Sequence, residues 1–243
     1  MRLLSPATTN AKTSKKLDDY NYEGAILYLS PHNLADGHHT VCPWSTPGCR
    51  ATCLNTSGRA QVAGDLTLNN LQQYSIHKAR VRKTLYYLNY SGNFKLDLEA
   101  ELRRLADKAQ KKGKKAVVRL NGTSDIAWEN EIQLQHLNTI QFYDYTKSLV
   151  RMNKYLNREL PSNYYLIFSR SESTTDETIK KICGAGGNVA VVFRNKVPRK
   201  YLGINVINGD EHDFRFRNKP GRIIGLKAKG RAKKDNTGFV VDV

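Results

Sequence analysis

Three cysteines, Cys42, Cys49 and Cys53, stand in one short stretch with the spacing C-x6-C-x3-C. Thiolates are the soft donors of zinc and of iron–sulfur clusters, so three on one loop could fill three corners of a cluster or three positions of a tetrahedral zinc. Between the first two lies Pro43-Trp44-Ser45-Thr46-Pro47-Gly48, whose prolines and glycine let the chain wrap tightly around such a centre. A zinc site needs a fourth donor, and His38 or His39 is the neighbouring imidazole. Without a fourth protein ligand, one iron of a four-iron cluster stays open to substrate or cofactor. The remaining cysteine, Cys183, falls on the apolar face of a predicted helix over 174–183. It reads as a core residue, with a ligand role as the alternative.

The elements that must carry this loop are visible as short apolar runs separated by helical patterns. Strands are predicted at 25–30, 115–120, 139–143, 164–168, 189–193, 204–207 and 222–226. Unbroken runs such as Tyr164-Tyr165-Leu166-Ile167-Phe168 imply burial on both faces of a parallel sheet. Leu98, Leu102, Leu105 and Ala109 mark one face of a helix ending near Gly113, and further helical segments are predicted within 66–90 and 148–160. The expected fold class is α/β, an open or partial parallel β/α barrel of the TIM type with the cysteine loop after its first strand. Residues 1–20, rich in Ser, Thr, Asn and Lys, are expected to form a flexible basic arm, and 21–243 a single domain.

Where predicted strands end, the sequence turns polar, and in a parallel barrel those ends converge on one site. Asp144, Lys147 and Glu172 are candidates for proton transfer or charge balance. Asn121, Thr123, Ser124, Asp125 and Ser171 are candidates for orienting a cofactor or substrate. Wet, turn-forming loops explain some of these residues equally well. Asp210 and Asp213, flanking His212, could bind a divalent ion or simply pair with Arg215 or Arg217.

Lys and Arg number 39 against 22 Asp and Glu, a net charge of +17, which points to a polyanionic partner. Nucleic acid or a nucleotide is favoured over membrane phosphate, because no segment shows a basic amphipathic helix. Arg80, Arg82, Lys83, Lys227, Lys229 and Arg231 are the candidate phosphate contacts. Tyr86, Tyr87 and Tyr90 could stack on bases, although packing between helices is the simpler use of that spacing. No run of eighteen apolar residues and no secretory leader is apparent, so a cytoplasmic protein is expected.

Three cysteines in a loop after the first strand of a partial barrel resemble the layout of radical S-adenosylmethionine enzymes. Their usual spacing is C-x3-C-x2-C, and this chain departs from it at both intervals. The resemblance implies an iron–sulfur cluster with S-adenosylmethionine, held by Asn121, Thr123, Ser124, Asp125, Ser171 and Glu172 at the strand ends. A second resemblance covers the chain from about Ala25 onward. Cys42-Pro43-Trp44-Ser45-Thr46-Pro47-Gly48-Cys49, Arg119-Leu120-Asn121-Gly122-Thr123-Ser124-Asp125, Phe142-Tyr143-Asp144-Tyr145-Thr146-Lys147 and Gly225-Leu226-Lys227-Ala228-Lys229-Gly230 are similar to the phage and plasmid family named after mycobacteriophage gene product eighty-eight. That similarity implies a viral or mobile-element origin and names no reaction. The expectation is a phage-encoded metal or iron–sulfur enzyme acting on nucleic acid or a nucleotide. The alternatives are a non-catalytic, zinc-stabilised nucleic-acid-binding protein and a phage inhibitor aimed at a host protein.

Overall fold

The computed structural model describes residues 1–14, 16–64 and 67–243. Leu66, the expected start of one helical stretch, lies outside the described residues. Nine strands form one mixed, mostly parallel sheet: β1 Leu4–Pro6, β2 Tyr22–Leu27, β3 Lys115–Arg119, β4 Ile140–Thr146, β5 Tyr164–Ser169, β6 Val189–Phe193, β7 Lys200–Tyr201, β8 Ile204–Asn208 and β9 Ile223–Lys227. Their order is β1-β2-β3-β4-β5-β6-β9-β8-β7, so the sheet has two free edges and does not close. From β2 to β9, and on to β8, all pairings are parallel, while β1 and β7 add antiparallel edges.

The helices are α1 Ala11–Ser14, α2 Pro47–Ala51, α3 Leu68–Leu71, α4 Ser75–Asn89, α5 Ser91–Lys111, α6 Trp128–Glu131, α7 Leu149–Leu156 and α8 Asp176–Gly184. Strand alternation explains how they cover the sheet, because residues i and i+2 share a face. Ala116, Val118, Phe142, Tyr164 and Leu166 pack with Phe94, Leu98 and Leu102 of α5. Phe168, Val189, Val191 and Ile223 continue that face against Met152 of α7 and Ile179 and Ile182 of α8. The intervening residues, Val117, Tyr143, Ile167, Ala190 and Ile224, form the opposite face. Ala7, Leu17 and Phe214 pack against Val117 and Tyr143 on that face, and among the described residues no long helix does. The continuous apolar runs are therefore buried on both sides, with the long helices among the described residues on one of them.

Part of the arm expected over 1–20, Leu4–Pro6, is instead built into the sheet. Leu3, Leu4, Ala7 and Leu17 are buried, and β1 pairs with β2 from Leu4↔Leu27 to Pro6↔Ala25. The Glu101 carboxylate accepts the N–H groups of Leu3 and Leu4 at 2.7 and 2.8 Å. A three-residue edge strand ending in proline carries no readable periodicity, which is why composition alone suggested a loose segment. Among the described residues no helix is long and apolar enough to cross a membrane.

Candidate functional site

The cysteine loop runs on from the carboxyl end of β2. Thr46 caps α2 by accepting the N–H of Cys49, and Pro47 occupies the first turn, where its missing N–H is harmless. Cys42, Cys49 and Cys53 all line one cavity of about 220 Å³, together with His32, Ser45, Arg50 and Asn55. The His32 N–H donates to Cys42 Sγ at 3.2 Å, and Cys42 in turn faces the Thr123 carbonyl at 3.7 Å. Burial pushes the Cys42 thiol up to about 12, reinforced by the charges of Cys53, Asp125 and Cys49. Burial likewise raises Cys53 to about 11, with Cys49 adding to it and Arg80 and Lys147 opposing it. The three sulfurs thus share one electrostatic environment. Among the described residues, no group of three or more His, Cys, Asp or Glu is arranged to hold a metal ion. His38 and His39, the expected fourth ligands, are exposed and do not line the cavity; His39 Nδ1 meets Asp36 Oδ2 at 2.7 Å instead.

Glu172 reaches this loop from the carboxyl end of β5. Its Oε1 accepts the Gly48 N–H at 2.7 Å and its Oε2 the Thr46 hydroxyl at 2.7 Å. A Cβ on Gly48 would fall 2.7 Å from Glu172 Oε2 and closer still to Thr237 Oγ1, so any larger residue would displace these two side chains. These contacts make Glu172 an anchor of the cysteine loop. The other strand-end candidates are also bonded within the protein. Asn121 Oδ1 accepts from the Ser124 hydroxyl and the Ile126 N–H, at 2.8 and 2.9 Å. Thr123 donates to the Leu29 carbonyl at 2.5 Å. Asp125 accepts the Lys147 N–H and an Arg151 N–H, both at 2.8 Å. Ser171 shares hydroxyl bonds with Ser173 and Thr174.

Asp144 is fully buried, where it accepts the Asn121 N–H at 2.6 Å and the Tyr164 hydroxyl at 2.9 Å. Loss of water raises its carboxyl to about 7, against the pull of Arg119 and these donors. Lys147 differs from its neighbours. Its ammonium donates to Ser169 Oγ at 2.8 Å and sits 5.1 Å from the Phe239 ring centre. It makes no ion pair with a carboxylate among the described residues.

On the face away from the helices, Asp213 binds Arg119 at 2.9 Å, Arg215 at 3.3 Å and the Tyr145 hydroxyl at 3.0 Å. Asp213 therefore serves this buried network, the pairing alternative raised by the sequence. Asp210 binds Lys12 at 2.7 Å and Lys229 at 3.0 Å, and accepts the Lys227 N–H at 2.9 Å. Among the expected phosphate contacts, Lys227, Lys229, Arg231 and Arg82 are exposed. Lys83 is buried, and its ammonium donates to the Leu3 carbonyl at 2.6 Å, because the helical period turns it toward β1. Arg80 is half-buried beside the cavity; it donates to Asn55 and lies 4.9 Å from the Tyr28 ring centre. Tyr86 and Tyr87 pack on Phe94 at 5.6 and 5.3 Å between ring centres, whereas Tyr90 is exposed. Cys183 is buried on α8 beside Ile179 and Ile182, in the core.

The sequence model of the family described as Gene product 88 matches residues 2–243. The chain belongs to the gene product 88 family. The match supports a phage protein, and it spans both the cysteine loop and every strand of the sheet. No curated protein and no solved structure matches the chain. In this gene product 88 chain the cavity residues His32, Arg50 and Asn55 were not legible as such. Ten residues separate His32 from Cys42, and only the fold of the loop brings its backbone to the sulfur. The Thr46-Pro47 pair was a readable helix start that would have predicted α2.

Proposed function

We propose that this gene product 88 chain is an iron–sulfur enzyme of open β/α-barrel form, acting on nucleic acid or a nucleotide. The observation that carries the reading is that three thiols from one loop line a single cavity at the carboxyl end of the parallel sheet. The sequential strand order from β2 to β6, with helices on one face, supports the barrel-like description. A tetrahedral zinc holds each sulfur at about 2.3 Å, which brings any two within about 3.8 Å of one another. The described residues offer no such compact group. A cluster takes one thiolate per iron and spreads the sulfurs more widely than a single zinc does, and three thiols lining one cavity are the ligands it would use. Cys42, Cys49 and Cys53 would hold it, and the layout resembles radical S-adenosylmethionine enzymes in this respect. A cluster with an open iron supplies a ligand site and one electron to a bound cofactor such as S-adenosylmethionine.

The chain's own residues define the rest. Glu172 and Thr46 fix α2 and with it Cys49. Arg80 and Lys147 supply positive potential at Cys53, favouring anionic sulfur. Lys147 keeps donor capacity beyond its bond to Ser169, so it is the strand-end side chain best able to bind or protonate a substrate group. Asn121, Ser124 and Asp125 shape the β3 loop against which Cys42 rests.

Anaerobic reconstitution with iron and sulfide tests this reading. The expected result is brown protein with visible charge-transfer absorption, lost in each of Cys42→Ser, Cys49→Ser and Cys53→Ser and kept in Cys183→Ser. Colourless protein carrying one zinc per chain would overturn it in favour of a zinc-stabilised binding protein.

A further inference from the structure

Residues 37–64 contain no Asp or Glu, and neither do residues 227–234, which hold five cations in eight positions. The fold brings these two stretches together. Arg231 donates to the Gly64 carbonyl at 2.5 Å, and a Cβ on Gly230 would lie 3.2 Å from Ser57 Cβ. Beneath them Ala228, Ala232, Phe239 and Val240 form a small core against which Cys49 packs. The 3-10 turn Gly230–Lys234 is thereby seated on the cysteine loop, and its charges join those of Arg50 and Arg59. Arg50 itself lines the cysteine cavity.

Among the described residues, most of these cations have no carboxylate to neutralise them. Arg50, Arg59, Lys227, Arg231, Lys233 and Lys234 are exposed, and none makes an ion pair with a carboxylate among the described residues. Among the described residues Lys229 alone of this set is paired, with Asp210. Asp235, the acid next in sequence, is turned inward, where it accepts the Val240 N–H at 2.9 Å and the Thr237 hydroxyl at 2.7 Å. Like charges set side by side on two segments repel each other, so packing does not call for the arrangement, whereas a polyanion does.

We infer that the rim formed by Arg50, Arg59, Arg231, Lys233 and Lys234 is the track of a single-stranded nucleic acid, leading its phosphates past the cysteine cavity. A strand is favoured over a duplex because chemistry on a base requires it out of the stack, and the cavity lies within the loop rather than on an open plane. The inference deepens the proposed function by naming its substrate. Its test uses metal-free protein, so failure to build a cluster and failure to bind a strand are read separately.

Binding of a fluorescent twenty-nucleotide single strand is measured by anisotropy across a salt series. The variant Arg59→Gln/Lys233→Gln/Lys234→Gln is compared with Arg104→Gln/Lys111→Gln/Lys115→Gln. The second set removes the same charge from exposed residues around the far end of α5. The rim variant is expected to bind about tenfold or more weakly, and to flatten the slope of log K against log salt by about 2, at about 0.7 per phosphate contact on a single strand. The α5 set is expected to change affinity less than about twofold beyond general screening. Equal losses in the two sets would overturn the track, as would no loss in either. Tighter binding of the matching duplex would overturn the choice of a strand. Capture by phosphatidylserine vesicles with the same rim dependence, and without oligonucleotide binding, would reassign the surface to a membrane.

Discussion

The face of the sheet away from the helices and the rim over the cysteine loop are both rich in Arg and Lys, yet they handle charge in opposite ways. On the sheet face, Arg119 and Arg215 converge on Asp213, with Tyr145 closing the set. Near α7 the same pattern recurs, where Arg151 is held by Asp125 and bidentately by Glu129. Burial forces this pairing, since a cation taken out of water without a counter-charge costs several kcal/mol. On the rim, water already solvates the cations, and among the described residues no carboxylate pairs with Arg50, Arg59, Arg231, Lys233 or Lys234. A buried network of this kind is weak evidence for chemistry, because the fold itself demands it. An exposed concentration of one sign is demanded by nothing in the fold and so speaks for a partner.

Three variants sharpen or break this contrast. The largest effect is expected for Asp213→Ala, which leaves the buried Arg215 and the half-buried Arg119 without their carboxylate and should cost about 3–5 kcal/mol in urea unfolding. A loss below about 1 kcal/mol would mean that the network is hydrated and that the two regions do not differ in kind.

An intermediate effect is expected for Glu172→Gln. It removes charge-assisted bonds to Gly48 and Thr46 worth about 1.5–3 kcal/mol, felt locally as faster amide exchange at Gly48. Burial raises the Glu172 carboxyl, but bonds from Gly48, Thr46 and its own N–H, with the charge of Lys147, bring it below the usual value. A depressed folded-state value means that the stabilisation is present above about 4.3 and lost as pH falls through the folded value. Protection of the cysteine loop should therefore weaken on acidification below about 4 in the wild type, and Glu172→Gln should show no such step. Protection that is flat with pH in the wild type would remove Glu172 as the loop's anchor.

The smallest effect belongs to Lys233→Gln/Lys234→Gln, expected within about 0.5 kcal/mol of wild-type stability and slightly on the favourable side through relief of repulsion. A clear loss of melting temperature would show that these residues serve the fold after all.

How far the sequence disclosed this molecule depended on the range of the interactions concerned. The continuous apolar runs at β5 and β6, the Leu98/Leu102 face of α5 and the core position of Cys183 are local patterns, and they appear in the structure as read. β1 left no such pattern, because three residues ending in Pro6 cannot show a period, and its place is fixed by Glu101 and by pairing to β2. The same holds within the candidate site. The clustering of Cys42, Cys49 and Cys53 was legible from spacing, but the use of Glu172 to clamp Thr46 and Gly48 rests on contacts between β5 and a loop far upstream. Lys83 shows the converse: a basic run reads as one surface, and the helical period then sends one member inward.

The seat of Cys49 has a consequence for biosynthesis. Ala228, Ala232, Thr237 and Phe239, which support the loop, are translated long after the three cysteines, at about 5–20 residues per second. For on the order of ten seconds or more the thiols must leave the ribosome in an unsupported loop, open to oxidants and to stray metals. Closure of the cysteine loop is then timed by the arrival of a few residues from far downstream, Ala228, Ala232, Thr237 and Phe239.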